Sequence, residues 1–290
     1  MTEKVKYYNT PYGMVYINVD AVHAGIKLSS GFDSALLLYM TALAASELNP
    51  ELIIRPLTVR RANATNFSHW DRVDNVANVE KIIAWVRSCF PQLEIRDTLV
   101  YDAEHWYYCE PDEPIVGAQH TYVMAQNVLS AYIANDTLIE ENEKFTYKSL
   151  MYNGVTKNPD FELSGFNPER KRNLKVESEV AIDNSVSVIR TYTRLGGMCD
   201  IEAFRNADKR ISFWLADSLG ILDTLLTVSR SCEGNRDATN NWTEECMECW
   251  WCYERHWAHE TYKDSATTGE APKYISEEYF KTLHYTRGNS

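Results

Sequence analysis

An apolar, partly β-branched run from Val22 to Leu28 passes without a linker through Ser29-Ser30-Gly31-Phe32-Asp33-Ser34 into an Ala- and Leu-rich stretch, Ala35 to Glu47. The change of period reads as strand, tight turn, helix. Asp33 or Ser34 would stand near the helix start, where Asp and Ser cap well. Downstream the same alternation recurs. Glu51 to Val59 reads as a second strand, and Asp74 to Phe90 as a helix with Val76, Val79, Ile82, Ile83 and Val86 on one side. Leu93 to Val100 reads as a third strand, Tyr122 to Ala134 as an apolar helix, and Phe145 to Tyr152 as a strand closed by Asn153-Gly154. Ala203 to Leu219 is a further helix, with Gly220 placed to stop it. Strands alternating with helices predict an α/β fold with a parallel sheet covered on both faces. The polar stretches Val59 to Asp74 and Glu104 to Gln119 are read as loops around a site.

The strand–turn–helix also suits an anion. Small residues let the backbone approach a phosphate, the first amides of the helix donate to it, and the helix dipole adds favourable potential. Ser29, Ser30 and Ser34 add hydroxyl donors. No Gly-Lys-Ser/Thr follows, so this is not a Walker loop. Taken alone, the same small residues would equally serve an ordinary strand-to-helix turn.

Charge narrows the partners. The chain holds 29 Lys and Arg against 41 Asp and Glu, a formal net charge of −12. Such a surface repels phosphate backbones, which argues against direct nucleic-acid binding. The basic run Arg170-Lys171-Arg172 is read as a solvated turn. No apolar run reaches the roughly 20 residues needed to cross a bilayer, and the polar N-terminus has no signal-peptide pattern. These features predict a cytoplasmic protein without a membrane partner.

Seven cysteines are present. Cys89, Cys109 and Cys199 are scattered, and Cys199 reads as a buried thiol rather than a nucleophile. Cys232, Cys246, Cys249 and Cys252 cluster, the last three at successive C-x2-C spacing. Close pairs of this kind let one turn supply two donors to tetrahedral zinc, and four thiolates imply a structural site. Arg255, His256 and His259 lie near enough to be supporting donors or alternative ligands. Trp242, Trp250, Trp251 and Trp257 are read as packing around the knuckle.

With these motifs in view, Ser29-Ser30-Gly31-Phe32-Asp33-Ser34 resembles the SGGxDS signature of PP-loop ATP pyrophosphatases, with Ser30 in place of the first glycine. Ser231-Cys232 followed by Cys246, Cys249, Cys252 and Arg255 resembles the tail of the 7-cyano-7-deazaguanine synthase family. So do Asp208-Lys209 ahead of Leu219-Gly220. Val123 to Asn127 keeps the Val and Asn of the family's V-P-x-R-N stretch. Asp160-Phe161 with Ser164 to Arg170 looks like an expanded form of its substrate segment, and its Y-G-Q-R-H stretch is replaced by Val59 to Asn63. The departures fall on the substrate side.

The resemblance implies a Rossmann-like, adenine nucleotide alpha hydrolase-like PP-loop fold over residues 1–225, and a small C-terminal zinc-binding region over 226–290. It implies ATP bound by Ser29, Ser30, Gly31, Phe32, Asp33, Ser34 and Asn127. Asp33 would be a magnesium ligand and Lys209 would face phosphate or carboxylate charge. The deazapurine would meet Asp160, Phe166 and Arg170, and zinc would sit on Cys232, Cys246, Cys249 and Cys252. The implied reaction is adenylation of 7-carboxy-7-deazaguanine, displacement by ammonia to the amide, and a second activation to the nitrile. A homodimer follows by family analogy. Two alternatives stay open: an RNA-modifying PP-loop enzyme such as a tRNA thiolase, and a binding protein that has lost catalysis.

Overall fold

The computed structural model describes residues 4–60, 75–102, 138–141, 144–147, 149–157, 159, 179–192, 198–232, 240, 244–247 and 250–267. The predicted helix at 122–134 lies outside them, as do nearly all of the two predicted loops.

Eleven strands are described. β1 (Val5–Thr10) and β2 (Gly13–Asn18) form a hairpin, β6 (Leu138–Glu141) and β7 (Lys144–Tyr147) a second one, and the other seven a central sheet. These are β3 (His23–Lys27), β4 (Ile53–Arg60), β5 (Leu99–Asp102), β8 (Ser149–Asn153), β9 (Glu179–Ala181), β10 (Val188–Tyr192) and β11 (Met198–Glu202). Their order is β5-β4-β3-β8-β11-β10-β9. The first five are mutually parallel, and β10 runs against both its neighbours. The sheet is therefore mixed at one edge, not wholly parallel as expected. A parallel pair needs a crossover connection, whereas β9, β10 and β11 follow one another closely in sequence and pair antiparallel.

The helices are α1 (Phe32–Leu48), α2 (Val76–Cys89), α3 (Arg210–Ser218), α4 (Leu222–Val228) and α5 (Trp250–Thr267). In α1 the buried positions run round the helix, from Phe32 and Ser34 to Leu38, Met40 to Ala42, Ala44 and Ala45. A helix apolar on every side belongs inside the core. α2 instead buries Val76, Val79, Ile82, Ile83 and Val86, the single stripe read from the sequence. Phe32 stacks on Phe213 of α3 with ring centroids 4.2 Å apart and planes within 9°. This contact fixes the start of α1, next to the serine-rich turn.

Several boundaries move. Strand β5 begins at Leu99; the segment before it meets β4 by an isolated bridge, Ile54 to Ile95, and by the hydroxyl bond between Thr58 and Thr98 (2.8 Å). The single strand expected over Phe145 to Tyr152 is two, β7 and β8, in different sheets. The helix expected from Ala203 starts at Arg210, with Lys209 as an N-cap that has no side-chain cap; just before it, Asp208 accepts from the Arg210 N–H (3.0 Å) and its guanidinium (2.9 and 2.7 Å). Its stop is as read. Gly220 has φ +68°, its N–H donates to Asp217 O (2.9 Å), and the Ile221 N–H donates to Ala216 O (2.9 Å). That pair of bonds is a Schellman closure, which needs a left-handed residue. Among the described residues no helix is long and apolar enough to cross a membrane.

Candidate functional site

The β3–α1 turn lies at the carboxyl end of β3, where open α/β sheets place their ligands. Gly31 is the N-cap of α1, with no side-chain cap, so Asp33 and Ser34 stand inside the first turn rather than capping it. Ser34 Oγ donates to Gly31 O (3.0 Å) and accepts from the Ser29 N–H (3.3 Å), and the Gly31 N–H donates to Ser29 Oγ (3.4 Å). The hydroxyls thus brace the turn. Ser30 has φ +70°. It adopts the left-handed conformation that a glycine would take freely, at a cost of about 1–2 kcal/mol for a residue with a Cβ. Strain of that kind persists where the surroundings over-determine it, and here they do. The Arg230 N–H donates to Ser30 O (2.8 Å), Ser30 Oγ donates to Arg230 O (3.4 Å), and the Phe32 N–H donates to Ser231 Oγ (3.3 Å). Gly154, the residue after β8, presses on the same turn. A Cβ added there would lie 3.1 Å from the Asp33 carbonyl and the Ser34 nitrogen.

Asp33 and Lys209, far apart in the chain, meet here. The Lys209 ammonium donates to Asp33 Oδ2. Lys209 is nearly fully buried and has a second carboxylate, that of the fully buried Glu254 on α5, with Oε2 3.7 Å from Nζ. The other Asp33 oxygen, Oδ1, is buried and accepts no hydrogen bond from the described residues. A buried carboxylate oxygen without a donor is costly, and it is a fitting ligand for a hard cation such as Mg2+.

A second buried pair lies in the central sheet. Lys27, at the end of β3, reaches past β8 to donate to Asp200 Oδ2 on β11, with both side chains almost wholly out of solvent. Asp200 Oδ1 is buried with no hydrogen-bond partner among the described residues. Sequence reasoning missed this pair, although Lys27 is a charge at the end of an apolar strand entering the phosphate-type turn. It also missed Glu254, which follows Cys252 by two residues in an aromatic-rich run.

The Cys232, Cys246 and Cys252 sulfurs lie within 4.8 Å of one another, and Cys246 Sγ is 4.0 Å from Cys252 Sγ. Sulfurs on one tetrahedral zinc at ~2.3 Å stand about 3.8 Å apart, so the three thiols fit such an ion. The Cys246 N–H donates to Cys232 Sγ (3.2 Å), an amide-to-sulfur bond that favours the thiolate. Met247 has φ +57° in the turn between the cysteines. Cys249 lies outside the described residues, as do Asn127, Asp160, Phe166, Arg170 and Trp242.

The other side chains expected at the knuckle have defined partners. Arg255 donates to Leu226 O (2.8 Å) and Ser229 O (3.3 Å) at the end of α4 and to Glu245 Oε1 (2.6 Å). It closes a helix C-terminus rather than ligating. His256 Nε2 is 3.0 Å from Glu245 Oε2. Burial works to raise the Glu245 carboxyl, but the His256 hydrogen bond and the Arg255 charge outweigh it and hold it below its ordinary value. His259 stands against Phe213 and Tyr262; the partial burial of its ring, with the nearby His256 and Arg255 charges, pushes its imidazole down. Trp257 is buried in the main core, 5.0 Å from the Arg210 guanidinium.

No protein-family model matches this chain, and no curated protein matches it. Among solved structures it is similar to the NH3-dependent NAD synthetase from Campylobacter jejuni subsp. jejuni NCTC 11168 in complex with the nitrate ion. The two are 14% identical, with a TM-score of 0.37, over 72% of this chain and 68% of that one. At that identity and score the likeness decides neither family nor activity.

Proposed function

We propose that this chain is an ATP-dependent carbon–nitrogen ligase of the PP-loop class that aminates an adenylated carboxylate, with 7-carboxy-7-deazaguanine as the acceptor. The observation that carries the reading is the meeting of Asp33 and Lys209 at the braced Ser29–Ser34 turn. An anion-binding helix start, a buried ammonium and a carboxylate with one free oxygen are the parts that ATP activation needs.

Ser29 to Ser34 would cradle the phosphates, and Lys209 would face their charge. Asp33 Oδ1 would hold magnesium, which when bound neutralises phosphate charge. Attack of the substrate carboxylate on the α-phosphorus forms the acyl-phosphate bond and releases pyrophosphate. Ammonia then displaces AMP and gives the amide. Attack of the amide oxygen on the α-phosphorus of a second ATP releases pyrophosphate; loss of AMP, which carries that oxygen away, and of the two nitrogen protons gives the nitrile. Most of this is positioning and charge neutralisation. Cys232, Cys246, Cys252 and, from outside the described residues, Cys249 would hold zinc in a structural role, with 226–290 acting as an appendage of 1–225. Asn127, Asp160, Phe166 and Arg170 remain proposed contacts to nucleotide and base.

One observation bears on the inactive-protein alternative. Ser30 departs from the family pattern in side chain but takes the left-handed backbone the turn requires, so the departure does not dismantle the cradle.

The test is mass spectrometry of purified protein with Mg-ATP, ammonium and 7-carboxy-7-deazaguanine. Amide or nitrile formed with AMP is the expected result. AMP without either product would move the search to another carboxylate, and ATP left intact would overturn the reading.

A further inference from the structure

Helix α5 carries more than Cys252. It delivers Glu254, which is fully buried, to within 3.7 Å of the Lys209 ammonium, on which Asp33 also closes. Two carboxylates thus approach one ammonium in a buried cluster. Asp33 keeps Oδ1 without a donor among the described residues. A buried carboxylate oxygen without a donor is costly, and it suits a cation.

Asp33 alone would be poorly placed to bind a cation. Its partner Lys209 is a positive charge in direct contact, and a cation arriving at Asp33 must work against it. Glu254 changes that balance. It gives Lys209 a second anion to lean on, so the ammonium can relax its hold on Asp33 and turn to a phosphate oxygen without ever being left unpaired in the interior. We propose that Glu254 is a positioning residue that holds Lys209 and thereby frees Asp33 for the divalent cation that arrives with ATP. This role rests on reading Asp33 and Lys209 as the phosphate end of an ATP site.

The distinguishing experiment compares ATP binding as a function of Mg2+ in the wild-type chain, Glu254→Gln and Glu254→Asp, with metal content at the cysteines and the near-UV circular dichroism spectrum measured alongside. In E254Q the Mg2+ concentration for half-maximal ATP binding should rise about tenfold, the scale of a lost attraction between close, partly desolvated charges. Binding of ATP in the presence of a magnesium chelator should be nearly unchanged, and E254D, which keeps the charge on a shorter side chain, should raise the Mg2+ requirement by a smaller but measurable factor. An unchanged Mg2+ dependence in E254Q overturns the role. So does equal weakening with and without Mg2+, which would mark Glu254 as merely structural. If E254Q does not fold, E254D decides: its shorter carboxylate should raise the Mg2+ requirement measurably, and a wild-type value overturns the proposal. A wild-type chain that binds no Mg-ATP would sink the ATP-site reading itself, a result distinct from either.

Discussion

Ser30, Asp33 and Gly154 each make a prediction at their own position. Ser30 pays for a left-handed backbone that glycine adopts freely. Ser30→Gly should therefore stabilise the fold by about 0.5–1 kcal/mol, the backbone gain less the extra freedom glycine brings to the unfolded chain, read as a shift in denaturant midpoint at constant slope. A loss of stability would mean that the 3.4 Å bond from Ser30 Oγ to Arg230 O matters more than the strain. Gly154→Ala should act in the opposite sense. Its Cβ would meet helix backbone at 3.1 Å, which cannot swing aside like a side chain. Overpacking of about 1–3 kcal/mol is expected, together with weakened ATP binding by isothermal calorimetry, since the atoms pushed belong to the turn. Asp33→Asn keeps the shape but removes the charge, and it should abolish Mg2+-dependent ATP binding while the fold persists. These positions were legible to different degrees. The Ser/Gly/Asp turn was visible as a pattern. Gly154 was visible only as the end of a strand, because its neighbour in space is more than a hundred residues away.

Among the elements, β3, β8 and β11 are tied by the Lys27–Asp200 pair across the central sheet. Removing one partner of a fully buried pair leaves an uncompensated charge, so Lys27→Met should cost about 3–5 kcal/mol. The double variant Lys27→Met with Asp200→Leu should recover most of that loss, and chemical denaturation of the three variants checks it. If the double variant is no better than the single, the pair is not the unit that holds these strands. Element type was readable where one periodicity ran long, as in α2, and where an Ala- and Leu-rich run was long enough for a helix, as in α1. It failed at β7 and β8, where two strands abut with one residue between them and pair in different sheets. It failed as well at α5, where the cysteine and tryptophan spacing drew attention to a knuckle and the long helix Trp250–Thr267 went unread. Pairing partners decide strands, and partners are not local.

Across the whole molecule, the cysteine cluster and the phosphate-type turn are one mechanical unit. Arg230 and Ser231 are bonded to Ser30 and Phe32, Cys232 follows at once, and Glu254 returns from α5 to Lys209. Stripping metal with a chelator, or Cys252→Ser, should therefore lower thermal stability by several degrees or more and weaken ATP binding in parallel, because metal affinity is folding free energy. Loss of metal with ATP binding intact would show that the two regions are independent. Local chemistry was enough to indicate an anion-binding strand–turn–helix, a thiol set suited to zinc, an acidic surface and an α/β layout, since each depends on residues adjacent in the chain or on summed charge. The reversed strand β10, the left-handed Ser30, the burial of Lys27 with Asp200 and the approach of Asp33, Lys209 and Glu254 depend on long-range packing. Only when the sheet closes and α5 docks do charges remote in sequence share one desolvated space, and it is desolvation that turns them from surface residues into a site.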